Sequence, residues 1–224
     1  MSAWGLGFVV TLGHTRLATE ITIALPNAAK INCNADIYTY YNTWLLEKRI
    51  VIVLNFVHMI RILGIDPGTA RVGWGLIEEN FGRLTTLKYG CITTEKDELA
   101  EKRLSVIFHS MTKLLKALKP DCVSVEDLFF ATNAKTAIAV GQARGVILLS
   151  AAEQDIPVAS YSPVAVKKAI CGTGTAPKEQ VGRMITKLLH LKEIPKPDDT
   201  ADALAIAATH AYSYKMRRHM QKSR

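Results

Sequence analysis

The chain has 224 residues, 49% of them hydrophobic, and carries 28 Lys and Arg against 20 Asp and Glu, a formal charge of +8. That length suits one domain of ordinary size, alone or with an extension, and the positive balance argues against a basic partner and for nucleic acid or an anionic membrane surface. Cys33, Cys91, Cys122 and Cys171 form no C-x-x-C pair, which argues against zinc and for plain thiols in a reducing cytoplasm, and no run reaches the roughly 18 apolar residues of a spanning helix.

Residues 1–58 have mixed polarity without sustained periodicity, and the start lacks the basic region and cleavage site of a signal peptide. Met59 reads as an alternative translation start. The first 58 residues are therefore expected to be an N-terminal extension with little fold of its own, either an over-long gene reading or an organism-specific appendage.

From Met59 the signals become regular. Ile62 to Ile65 is a short apolar strand stopped by Pro67 and Gly68, and Val72 to Ile77 and Leu84 to Thr93 form a meander across the turn at Asn80 to Arg83. A helix follows from about Glu98 to Leu118, with Leu104, Ile107, Met111, Leu115 and Leu118 at helical spacing, and Pro120 ends it. Cys122 to Val125 is a buried strand, Ala134 to Glu153 an apolar helix, and Val158 to Ser160 a fifth strand. Short helices are expected near Val164 to Ile170 and from Lys178 to Leu189, separated by the bend CGTGTA. A last helix, capped by Asp198 or Asp199, runs to about Tyr214. A meander followed by strand and helix alternation predicts an α/β three-layer sandwich, a mixed five-stranded sheet flanked by helices. Residues 215–224, with Lys215, Arg217, Arg218, Lys222 and Arg224 and no acid, read as a basic tail able to touch phosphates.

Four acids stand where such a fold could aim them at one point. Asp66, in GIDPGT, ends a central strand, and Glu126, in VEDLFF, ends another; the carboxyl ends of strands are where open α/β sheets place ligands. Asp199 and Asp202, in DDTAD, lie three apart at a helix start and share a face. Each has a bland reading alone: an Asp before Pro-Gly forms turns, and acids at a helix start answer the dipole. Together they suit hard divalent cations, which take oxygen ligands and in pairs can activate water and stabilise a leaving oxygen in phosphodiester hydrolysis. Lys167, Lys168, Lys178 and Arg144 flank the acids in sequence as candidate backbone contacts. The pair Phe129 and Phe130 could stack on a base or wedge open a strand, or simply fill core.

These segments, ILGIDPGTARVGWG, VEDLFFATNAKTAIAVGQARGV, GTGTAPKEQV and DDTADALAIAATH in order, resemble the RuvC family of crossover junction endodeoxyribonucleases, the bacterial Holliday junction resolvases. The resemblance covers about Met59 to Tyr212. It implies an RNase H-like fold in residues 59–214, a cytoplasmic homodimer, and nicking of four-way junction DNA with Mg²⁺, two ions per subunit, with Mn²⁺ as a substitute. It also implies cooperation with RuvA and RuvB and no membrane partner. Asp66, Glu126, Asp199 and Asp202 fall on the family's catalytic metal-binding quartet, Phe129 on an aromatic that engages junction bases, and Lys167 and Lys178 on basic positions for catalysis or DNA contact; Arg144 is a further candidate DNA contact. The chain departs from the pattern in its first 58 residues and in Asp127, where a Gln is frequent. Two other enzymes compete: an actin-like ATPase, which needs a second such domain, and a related nuclease that processes RNA. A junction-binding protein that has lost catalysis is the non-enzymatic alternative.

Overall fold

The computed structural model describes residues 10–15, 18–23, 38–46, 49–57, 59–128 and 134–222. The chain divides into two compact units, Met1–His58 and Met59–Arg224. In the first, β1 (Val10–Thr15) pairs antiparallel with β2 (Ala18–Ile23), and β3 (Tyr38–Leu46) with β4 (Arg49–Val57), as two separate two-stranded sheets.

The second unit is a mixed sheet of five strands with helices on both faces, as the sequence predicts. Its strands are β5 (Ile60–Asp66), β6 (Arg71–Asn80), β7 (Arg83–Thr93), β8 (Cys122–Glu126) and β9 (Val158–Tyr161), in spatial order β7-β6-β5-β8-β9. The meander β5-β6-β7 is antiparallel, while β8 and β9 run parallel to β5. Parallel neighbours need a crossover, and α1 (Ala100–Leu118) and α2 (Ala134–Ala152) supply the two crossovers.

Alternation along the strands sorts the core into two layers. Leu63, Ile65, Val72, Leu76, Val123 and Val125 face α1 and α2, where Ile107, Met111, Leu115, Ala143 and Ile147 complete one cluster. Ile60, Ile62, Ile77 and Cys122 face the other way, toward α3 (Pro163–Cys171), α4 (Lys178–Leu188) and α5 (Asp198–Lys222). On this second face α5 lies very close to the sheet because the strands thin to glycine beneath it. A Cβ on Gly64 would strike the backbone of Ala203 and Ala207, one on Gly73 the backbone of Asp199, and one on Gly75 the side chain of Leu204. The matching helix surface is alanine-rich: Ala201, Ala203, Ala205, Ala207, Ala208 and Ala211 are all buried.

Two ends differ from the sequence reading. The last helix runs to Lys222, past the expected stop near Tyr214, because SYKMRRHMQK holds no Gly or Pro to break it. Asp198 and Asp199 both lie inside its first turn instead of capping it, a position the helix dipole also favours. No helix among the described residues is long and apolar enough to cross a membrane.

Candidate active site

Strand register brings the first two acids together. Ile65 pairs with Val125 in the parallel β5–β8 ladder, so Asp66 and Glu126, one residue further on, end adjacent strands side by side. Because Gly64 lies under α5 while Leu63 and Ile65 face α1 and α2, alternation turns Asp66 to the α5 face. Glu126 follows the same logic from Val123 and Val125. Asp66 also pairs with Gly73 across the β5–β6 ladder, and Gly73 sits directly beneath Asp199. Asp202 is one helical turn further along α5. The four acids therefore converge from three elements at the carboxyl ends of β5 and β8.

Burial and crowding oppose the ionisation of Asp66, Glu126 and Asp202. Asp66 is pushed up to about 8, first by burial and then by the charges of Glu126, Asp202 and Asp199, against a smaller pull from Lys178. Glu126 rises to about 7 through burial and Asp202, relieved in part by Lys178 and Lys167. Burial also raises Asp202, although Lys178 opposes it with a hydrogen bond and its charge.

Basic side chains already answer two of the acids. Lys178, the first residue of α4, places Nζ 2.8 Å from Asp202 Oδ2 and 3.9 Å from Asp198 Oδ2. Burial pulls its ammonium down, but Asp202, with Asp198 and Asp66, raises it overall. Arg71, which the sequence reading passed over, begins β6 two residues before Gly73 and so points to the same face. Its Nε lies 3.0 Å from Asp199 Oδ2. That oxygen is buried and receives no aligned hydrogen bond, so the contact is ionic.

The other candidates divide. Lys167, on α3, is half-buried and near enough to Glu126 to lower it; Lys168 is exposed on the same helix. Arg144 is largely covered, 19% exposed, and its Nε and Nη2 donors are taken up inside the protein. Nε donates to the Glu126 carbonyl at 3.2 Å, and Nη2 to Asp127 Oδ1 at 2.9 Å and to Ser160 Oγ at 2.7 Å. The Asp127 amide in turn donates to the Tyr161 carbonyl. Arg144 thus ties α2 to the ends of β8 and β9 and fixes the backbone that carries Glu126. Asp127 is its anionic partner. Phe129 and Phe130 lie outside the described residues.

All four acids offer oxygen donors, the set that Mg²⁺ or another hard cation requires, and the buried Asp199 Oδ2 receives no hydrogen bond, although Arg71 lies against it. Among the described residues, no three Asp, Glu, His or Cys groups are gathered closely enough to hold an ion. Asp199 and Asp202 are turned to Arg71 and Lys178 instead. The residues fit a divalent cation in chemistry and location, with those two contacts to be exchanged.

Comparison with known proteins adds an independent line. The family model for crossover junction endodeoxyribonuclease RuvC matches residues 62–210. The enzyme of that name from Moorella thermoacetica is 55% identical over 150 residues, 67% of this chain and 90% of its own length. Its namesake from Desulfitobacterium hafniense is 50% identical over 159 residues, 71% of this chain and 96% of its own. The structure of T. thermophilus RuvC in complex with a Holliday junction substrate aligns with a TM-score of 0.66 and 37% identity, covering 70% of this chain and 96% of that one. The yeast mitochondrial Holliday junction resolvase Ydc2, 16% identical with a TM-score of 0.53, shares the fold.

Proposed function

Because the chain belongs to the RuvC family of crossover junction endodeoxyribonucleases, we propose that it resolves Holliday junctions by paired symmetrical nicking of two strands of four-way DNA during recombination and repair. The observation that carries this reading at the level of chemistry is the convergence of Asp66, Glu126, Asp199 and Asp202 at the carboxyl ends of two interior strands in a chain of charge +8. The desolvation of Asp66, Glu126 and Asp202 is costly for the fold and is expected where function requires it.

In this reading the quartet holds two Mg²⁺ ions, with Mn²⁺ able to replace them. A bound pair supplies an activated water and charge stabilisation of the leaving oxygen. The protein's own part is to orient the acids from a rigid sheet and to gather phosphate. Lys178, beside Asp202 and facing Asp66, and Lys167, beside Glu126, are the cations best placed to receive a DNA phosphate. Phe129 is assigned to junction bases by the family resemblance alone. Arg144 acts from within, holding the Glu126 backbone.

A four-way junction presents two equivalent strands, and a two-fold dimer presents two equivalent sites. A stripe on α2 supports such a dimer. Ile138, 62% exposed, and Leu149, 52% exposed, share one helical face with Gln142 and Gly145, which are also exposed. A cytoplasmic location and cooperation with RuvA and RuvB belong to the same proposal, and the family resemblance is what supports them.

The test separates binding from cutting. Asp66→Asn is expected to bind a synthetic four-way junction like the parent and to leave it uncut in Mg²⁺. Normal cleavage by that variant contradicts the assignment of the quartet.

A further inference from the structure

Asp199, like Asp202, is held by a cation whose own side chain is exposed, and for Asp199 that cation comes from the start of a strand. Arg71 is the first residue of β6, and its side chain is 54% exposed while that of Asp199 is 22% exposed. Only its charge and reach engage Asp199: the Nε to Oδ2 separation is 3.0 Å, without the alignment of a hydrogen bond. The backbone of Arg71 is anchored by its pairing with Thr93, and the side chain can leave without disturbing the core. Lys178, from α4, covers Asp202 in the same way.

Consider what the site needs before a metal arrives. Four acids at the ends of two strands and one helix repel one another, and internal cations stabilise them in the metal-free protein. The same contact occupies the oxygen that an incoming ion must use. We propose that Arg71 is the internal counter-ion of Asp199, a positioning residue that neutralises it in the metal-free protein and is exchanged for the divalent cation when the site loads. The inference rests on the reading of the quartet as a metal site. An exchange of this kind lowers the affinity for the ion, because binding must first break an ion pair.

The experiment is titration of the full chain with Mn²⁺ alone, by calorimetry without DNA, at one fixed pH. Parent, Arg71→Ala, Arg71→Gln and Arg71→Lys are compared, with Asp66→Asn as the control for the site itself. Circular dichroism checks that each is folded, and Arg71→Gln keeps the length of the side chain should Arg71→Ala misfold. Loss of the charge is expected to tighten Mn²⁺ binding by about threefold to fivefold, the size of a half-exposed ion pair, while Arg71→Lys stays near the parent. If the parent binds Mn²⁺, Asp66→Asn does not, and the neutral Arg71 variants bind no more tightly than the parent, the counter-ion role is wrong and the metal site stands. If the parent itself takes up no Mn²⁺, both fall.

Discussion

Asp66 carries the sharpest consequence of crowding. Its folded value of about 8 lies far above the ordinary 3.8 of an unfolded chain. Its contribution to stability is therefore fully present below about pH 4 and is lost as pH rises toward 8. In chelator, Asp66→Asn should stabilise the fold at pH 8 by on the order of 1–3 kcal/mol, read as a higher urea midpoint, with little gain at pH 4. An unchanged or lower midpoint at pH 8 contradicts the description of the site as electrostatically strained. The same protons compete with cations, so Mn²⁺ affinity should rise between pH 6 and pH 8 as Asp66 and Glu126, at about 7, give them up. Arg144→Ala removes three donated hydrogen bonds at once and should lower kcat more than junction affinity, because Glu126 loses the anchor of its backbone while Lys167 and Lys178, the proposed phosphate contacts, are untouched. A loss confined to DNA affinity would instead restore the role the sequence suggested.

The elements explain why the acids meet. Helix α5 can place Asp199 and Asp202 over Asp66 only because Gly64 and Gly73 remove the side chains that would hold it away. Gly64→Ala should cost about 1–3 kcal/mol by overpacking and reduce cleavage, since the added methyl meets the Ala203 and Ala207 backbone. Gly145→Ala, where a Cβ meets nothing within 4 Å, should leave the fold of the single chain intact. Strand and helix order, and the acids at their ends, were legible in the sequence because strand-end carboxylates and a helix-start pair leave local patterns. Arg71 left none: an Arg after a turn gains meaning only through the β5–β6 register that sets it beside Asp199. Arg144 is legible only in part for the same reason: GQARG marks it as a basic candidate, and only the crossover shows that it also binds the ends of β8 and β9. Helix α5 continues past the stop expected near Tyr214 because helix breakers, which decide the stop, are absent from its polar last turns.

For the molecule as a whole, the unit Met59–Arg224 contains the sheet, both core clusters and all four acids. We expect a chain starting at Met59 to fold and cut junctions at the parent rate; loss of folding or activity on that truncation would give residues 1–58 a role in the nuclease. On the exposed stripe of α2, Leu149→Asp should shift the proposed dimer toward monomer in sedimentation, and with it turn the paired nicks expected of a dimer into single ones. Junction binding should weaken steeply with salt, as it does when lysines meet phosphates. The central claim is most directly tested by nicking of an end-labelled synthetic four-way junction, beside linear duplex and single strands, in Mg²⁺ and in EDTA. Symmetrically paired nicks in the junction alone, dependent on the metal, are the predicted result. Cutting that ignores junction structure, or binding without any cutting in Mg²⁺, would contradict it.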